Sequence, residues 1–203
     1  MELNSEIITT PPLDSASLIL LRDSDQGMQV LLLKRHQASN VLGGAYVFPG
    51  GKLDLADQHP DLLAHLSQPP AKLQQRLAEP DLSAERAAGL FVAAIREAFE
   101  ECRILLSQNG LDKPDLQALQ DALAGGLNWS QAFRKLSLQL STENLTPWSR
   151  WITPRQASVT NKRFDTRFFI ARVPEDQTAE HDNHEATETL WITPREALIR
   201  YWD

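Results

Sequence analysis

The sequence predicts an α/β protein, and three observations carry that expectation. Two β-rich runs meet at a hairpin signal near the N-terminus, a long helical segment fills the middle, and strand-like pieces return towards the C-terminus. The 203 residues are 42% hydrophobic and 23% charged, which suits one globular domain with an ample core and room for an insertion.

Residues 1–14 read as a flexible N-terminal arm ending in Pro11-Pro12, and 15–203 as a single domain. Ser17 to Arg22 and Met28 to Arg35 are strands joined through Asp23-Ser24-Asp25-Gln26-Gly27. Within the second, Val30-Leu31-Leu32-Leu33 is continuously apolar and predicts cover on both faces. Ala45 to Phe48 is a short strand entering a tight turn at Pro49-Gly50-Gly51. Residues of about 55–82 carry prolines, glutamines and histidines between short helical stretches, and read as an insertion.

Ser83 is a reasonable N-cap for the long helix, although Ala84-Glu85-Arg86 does not complete a capping box. Phe91, Ile95, Ala98, Cys102 and Leu105 step by three or four and predict a buried stripe. A further helical segment at about 112–141 divides at Gly125-Gly126 into Asp115 to Leu123 and Ser130 to Leu140. Strands follow at Trp148 to Thr153, Thr166 to Val173 and Glu188 to Thr193, and Pro194 opens a final helix. The tryptophans are expected as core or strand-end residues. Trp-Ile-Thr-Pro-Arg occurs at 151–155 and at 191–195, which reads as coincidence rather than duplication.

A net charge of −7 argues against a general nucleic-acid binder, yet leaves a phosphate substrate open where a bound cation inverts the local field. The single cysteine, Cys102, cannot form an internal disulfide and points to a reducing compartment. Neither a leader sequence nor a membrane span is legible, so the expected location is cytoplasmic. Cys102 lies on the buried stripe and is expected to pack. His181 and His184 sit among acids and are expected in a solvated loop.

The densest chemistry is Arg96-Glu97-Ala98-Phe99-Glu100-Glu101. Glu97, Glu100 and Glu101 stand at i, i+3 and i+4, so their carboxylates project together from one helix face, off the apolar stripe and away from the core. Like charges at this spacing repel, and a hard divalent cation with oxygen ligands would offset the repulsion. A solvated acidic face is the plain alternative. Upstream, Phe48-Pro49-Gly50-Gly51 could bring bare backbone to the same ion.

These two segments resemble the Nudix box, G-x5-E-x7-R-E-U-x-E-E-x-G-U, of the diphosphate hydrolases. Gly51 fits the first glycine, and Asp57 stands where the pattern has Glu. Between Asp57 and Arg96 lie 38 residues where the pattern has seven, and Arg103 replaces the closing glycine. Arginine resists the left-handed conformation open to glycine, so the helix is expected to run on through Leu106.

A branch of the family related to the peroxisomal coenzyme A diphosphatases carries such an insertion inside its box. It is also similar in FPGG followed by acids (Asp54, Asp57), in Lys162 to Ile170, and in Trp191 and Pro194. A coenzyme A signature, LLTxRSx3Rx3Gx3FPGG, is matched in spacing from Leu32 to Gly51, with Lys34, His36 and Asn40 as substitutions.

The resemblance implies a Nudix α/β/α sandwich with a mixed sheet. It implies Mg2+ or Mn2+ held by Gly51, Glu97, Glu100 and Glu101, with Arg96 orienting a carboxylate and Glu97 as general base. Glu185 or Glu188 is the alternative base. Arg35, Lys52, Arg163 and Arg167 are candidate contacts to substrate phosphate, although a salt-bridged strand edge explains Arg163 to Arg167 equally well. The implied substrate is a small-molecule diphosphate of coenzyme A type, with ADP-ribose or a nucleotide sugar as the alternative. A non-catalytic Nudix module that binds a nucleotide or a protein is a rival of another class, kept open by Arg103. A homodimer is a candidate assembly, and related chains usually run past the position of Asp203.

Overall fold

The computed structural model describes residues 7–37, 43–108, 110–156, 162–181 and 186–202. β1 (Leu13–Arg22) and β2 (Gln29–Arg35) form the expected hairpin, with Ser24 and Gly27 exchanging main-chain hydrogen bonds across the turn. β1 begins at Leu13, inside the stretch expected to be a loose arm. The reason is its long parallel pairing with β6 (Phe164–Arg172), which runs from Leu13 opposite Phe164 to Leu21 opposite Arg172. Ile8 is also anchored, being buried and donating its N–H to the Arg155 carbonyl at 2.8 Å.

The sheet is mixed, and it forks. β1 pairs with β2 only at Leu21 and Arg22, whereas its other half pairs with β4 (Gly50–Lys52) at Ser15, Ala16 and Ser17. β2 pairs antiparallel with β3 (Tyr46–Val47) and β7 (Ala186–Ile192). β5 (Thr146–Ile152) lies antiparallel to β6 at the opposite edge. Trp148 and Trp151 of β5 are largely exposed rather than in the core. Leu31 and Leu33 of β2 are buried but Leu32 only half so, which is alternation in place of the two-sided cover expected.

The tight turn expected at Pro49-Gly50-Gly51 is instead the start of β4, and neither glycine takes a positive φ. Glycine is required there for closeness. A methyl group at Gly50 would run into the Ala16 carbonyl and Ser17, and one at Gly51 into the Glu97 carboxylate.

After a 3₁₀ turn at Leu55–Gln58 come α1 (Pro60–Leu63) and α2 (Pro70–Leu77), both in the insertion. They are fastened to the body of the fold. Leu73 is fully buried, and the Arg76 guanidinium sits 5.4 Å from the Phe91 ring while donating to the Thr142 carbonyl at 2.7 Å. Glu79, just past α2, takes both Nε and Nη2 of Arg167 at 3.0 and 2.7 Å.

The central helix, α3 (Ala84–Cys102), starts at Ser83, whose hydroxyl accepts from the Arg86 N–H at 3.1 Å. Its apolar side packs on the sheet, with the Phe91 and Phe169 rings 4.7 Å apart. α4 (Lys113–Ala124) and α5 (Trp129–Leu136) each begin with a full capping box, at Asp112 and Asn128. α5 ends earlier than expected because Ser137 turns left-handed, with φ 55°. α6 (Pro194–Trp202) closes the chain. No helix among the described residues is long and apolar enough to cross a membrane.

Candidate active site

Arg96, on the last two turns of α3, organises the site. Its Nε and Nη2 donate to the two oxygens of Asp57 at 2.9 and 3.1 Å, although the residues are 39 positions apart. Nη1 donates to Glu97 at 2.8 Å and to Glu100 at 2.9 Å, and Nη2 also reaches the Lys52 carbonyl at 3.0 Å. All five guanidinium N–H groups are thereby used. Arg96 is 8% exposed and Asp57 1%. Burial alone would lower the Arg96 pKa, but the hydrogen bonds it donates to Asp57 and the charges of Glu97, Asp57 and Glu100 outweigh it and raise the pKa well above its ordinary value. The aspartate in place of glutamate thus reaches the arginine because the 3₁₀ turn carries it inward. Asp57 also accepts from the Asp54 N–H at 2.9 Å, which holds that turn in shape.

The three glutamates do not form the exposed triplet expected. Glu101 is buried, and its Oε2 accepts from the Gly50 N–H at 3.0 Å, so α3 is tied directly to β4. Glu97 lies against Gly51, while Glu100 is exposed on the other side of Arg96. Among the described residues, no three His, Cys, Asp or Glu side chains stand close enough to make a ready cage for a metal ion. The convergence expected of them is corrected accordingly: Arg96 draws Glu97 and Glu100 to itself, and the Gly50 amide draws Glu101. The donor set nevertheless suits a hard cation, since it is carboxylate and main-chain oxygen beside a glycine with no side chain in the way.

Two clefts open on either side of this turn of α3. The first, about 440 Å³, occupies the fork of the sheet; Glu97, Glu101 and Gly51 line it, with Arg35, Lys52 and Phe164. The second, about 380 Å³, lies between the insertion and the start of α5, with Glu100 and Arg96 at one wall and Asp61, Trp129 and Ser130 opposite.

Two of the four expected phosphate contacts are elsewhere. Along β6 the side chains alternate, so Asp165, Arg167 and Phe169 turn into the protein while Phe164 and Thr166 face the first cleft. Arg167 is 2% exposed and paired with Asp14, Glu79 and Asp165, so it is structural. Arg163 donates its Nε to the Thr153 carbonyl at 2.9 Å and lines neither cleft. Within the stretch from Arg163 to Arg167, Phe164 and Thr166 are thus the residues that line the cleft, and the strand period of two is the signal for them.

Glu188 pairs with Lys34 at 3.5 Å on the β2–β7 face, away from both clefts. Glu185 and His184 lie outside the described residues, as does Asn40.

Arg103 overturns a second expectation. It adopts the left-handed conformation, with φ 62°, and ends α3 at Cys102 where glycine would have done so. The turn is held from outside: the Glu180 N–H donates to the Cys102 carbonyl at 3.0 Å. The Gln177 amide also pairs with both N–H and C=O of Leu105, at 2.9 and 3.0 Å. The Arg103 guanidinium folds back to within 5.8 Å of the Phe99 ring, so it does not lie across the glutamates.

A forked mixed sheet, a glycine strand against a glutamate-rich helix, and an arginine gathering the acids of both box halves define a Nudix domain. The chain matches the NUDT19 Nudix domain family over residues 9–203, and it belongs to that family. It is 31% identical to the acyl-coenzyme A diphosphatase NUDT19 of Xenopus laevis, over 85% of this chain and 54% of that one. The human protein of the same description is also 31% identical, over 85% and 55%. A putative nudix hydrolase 7 of Caenorhabditis elegans is 28% identical over 94% and 55%. The chain therefore spans about half the length of these relatives. Among solved structures, a NUDIX hydrolase from Alicyclobacillus acidocaldarius superposes with a TM-score of 0.68 at 26% identity, covering 96% of this chain and 84% of its own.

Proposed function

We propose that this chain hydrolyses the diphosphate linkage of a nucleoside diphosphate derivative, with a coenzyme A-type compound as substrate. The observation that carries the reading is the buried Asp57–Arg96 pair. It closes the two halves of the box on each other across the insertion, with Glu97 held between Arg96 and Gly51 and Glu100 held on the far side of Arg96. The names of the relatives from Xenopus laevis and human supply the coenzyme A end of the proposal.

Nudix hydrolases generally use divalent metal ions, and Mg2+ or Mn2+ is proposed here, held by Glu97, Glu100, Glu101 and the Gly51 carbonyl. When bound, such an ion neutralises charge developing on phosphate oxygens and lowers the pKa of a bound water. The protein groups do the rest. Arg96 fixes the carboxylates without touching substrate, which makes it a positioning residue. Glu97, against Gly51, is the group proposed to take the proton from the attacking water. Arg35 and Lys52, which line the first cleft, are proposed to meet phosphate oxygens. A reducing, cytoplasmic setting is proposed with this, on the single buried thiol of Cys102.

The test is a panel of diphosphates with Mg2+ or Mn2+, following 3′,5′-ADP as the product of coenzyme A cleavage. Turnover should stop on chelation, and Glu97→Gln should lower kcat by about 100-fold or more. The pairing of Glu97 and Glu100 with Arg96, at 2.8 and 2.9 Å, favours a second reading, a module that binds a diphosphate without cleaving it. Tight binding of one panel member with no turnover of any would establish that reading instead.

A further inference from the structure

We infer that the two clefts divide the substrate between them: the sheet-fork cleft takes its anionic nucleotide half, and the cleft built by the insertion takes a neutral, amide-bearing arm. This rests on the diphosphatase reading and deepens it.

The argument begins with charge. In the first cleft Arg35 and Lys52 stand among the hydroxyls of Ser15, Ser17 and Thr166, beside the half-buried ring of Phe164. Cations, hydroxyl donors and an aromatic face suit phosphates and a planar base. The Glu97 and Glu101 carboxylates that also line the first cleft are matched by its two cations, whereas in the second cleft carboxylates are in excess. Asp54, Asp61 and Glu100 are exposed along its wall, with side chains 64%, 59% and 44% accessible. Among the described residues its only lysine or arginine is Arg96, whose donors are all spent, and which is matched there by the buried Asp57. A phosphate entering this cleft would meet three carboxylates and no unspent guanidinium or ammonium group, and like charges at such range repel.

What the second cleft does offer is acceptors and apolar surface. Carboxylate oxygens accept from amide N–H groups, and Trp129, Leu62 and Ala56 supply the apolar part of the wall. Coenzyme A has this lopsided chemistry, with its phosphates on the adenosine side and a neutral chain of two amides on the other. The box helix stands between the clefts, presenting Glu97 to the first and Glu100 to the second, so a diphosphate at these residues has one cleft for each side of the bond that breaks.

The inference also gives the insertion a role, because Asp54, Ala56, His59, Asp61 and Leu62 all belong to it or to its entry. The cleft wall facing them comes from α5. A box with the short spacer would lack the insertion side of this cleft.

The experiment fills the second cleft and reads the two halves of the substrate separately. Ser130→Trp should raise KM for coenzyme A by about tenfold, the scale on which a pocket contact is lost. It should leave the inhibition constant of 3′,5′-ADP unchanged. Ala56→Trp, at an exposed position of the 3₁₀ turn, should do the same and guards against a folding defect in the first variant. Arg35→Ala should behave oppositely and weaken 3′,5′-ADP. Fillers that leave KM unchanged, or that weaken 3′,5′-ADP equally, overturn the division of the substrate while the wild-type enzyme still turns over. A wild-type protein that cleaves no diphosphate overturns the underlying reading as well.

Discussion

Replacing Asp57 by Asn tests the keystone of the site with almost no change of shape. Asp57 accepts two charge-assisted hydrogen bonds from Arg96 at a position 1% exposed to solvent. Asparagine keeps one acceptor and sets an NH2 group against a guanidinium donor. The arginine, itself only 8% exposed, is left with part of its charge unmatched. Breaking a buried ion pair from one side costs about 3–5 kcal/mol, and the lower end applies because Glu97, Glu100 and the Lys52 carbonyl remain on Arg96. With a urea m-value of about 3 kcal/mol/M for a chain of this size, the unfolding midpoint should fall by about 1 M. Far-UV circular dichroism against urea reads it directly. A midpoint within about 0.3 M of the parent would refute the reasoning, since the pair would then contribute no more than an exposed one. The double variant Asp57→Leu with Arg96→Leu should recover much of the midpoint, because both charges leave the interior together. Its hydrolysis should stay low, as Glu97 and Glu100 lose their anchor.

Three further outcomes follow from the same geometry. Arg103→Gly should stabilise the protein by about 0.5–1 kcal/mol, raising Tm by about 2 °C, because a non-glycine residue at φ 62° is relieved; a fall in Tm by scanning calorimetry would contradict this. Gly51→Ala should leave the fold intact by circular dichroism but lower kcat by about 100-fold, since the new methyl displaces the Glu97 carboxylate; unchanged kcat would remove Glu97 from the reaction. Burial pushes the Cys102 thiol up to about 12 from an ordinary 9.0. The folded state then holds its proton more tightly than the unfolded state, so this group's contribution is constant below pH 9.0 and declines from there towards about 12. The Cys102→Ala variant should lack that decline, whose slope is at most about 1.4 kcal/mol per pH unit. Native Cys102 should also resist a thiol reagent until the chain unfolds, and rapid labelling would contradict its burial.

Much of the fold was legible because local chemistry and tertiary packing agree. The apolar stripe of α3 is buried as its spacing requires, and the hairpin forms across Ser24 to Gly27. The clamp of the site was legible only as pattern. Nothing local in Asp57 announces a partner 39 residues away, and only the folded 3₁₀ turn brings it under Arg96. Arg103 was misread because helix propensity is local, whereas the turn after Cys102 is imposed by Gln177 and Glu180 from a distant loop. For Arg167 the sequence left a phosphate contact and a salt-bridged strand equally open, and the structure has the salt bridges. An arginine on a strand is a phosphate ligand or a structural cation according to the face it occupies, and the buried face of β6 carries its acidic partners.

The excursion that leaves at Asp57 and rejoins at Arg96 is pinned at its neck by a salt bridge, so its ends meet whatever its contour length. Lengthening such a tethered segment is thermodynamically cheap, about 0.6 kcal/mol for each doubling. A catalytic motif cut in two by a whole subdomain is therefore no contradiction. The clamp at the base leaves the exposed turns of the segment free to differ in length, while Leu73 and the first turns of α3 stay bound into the core.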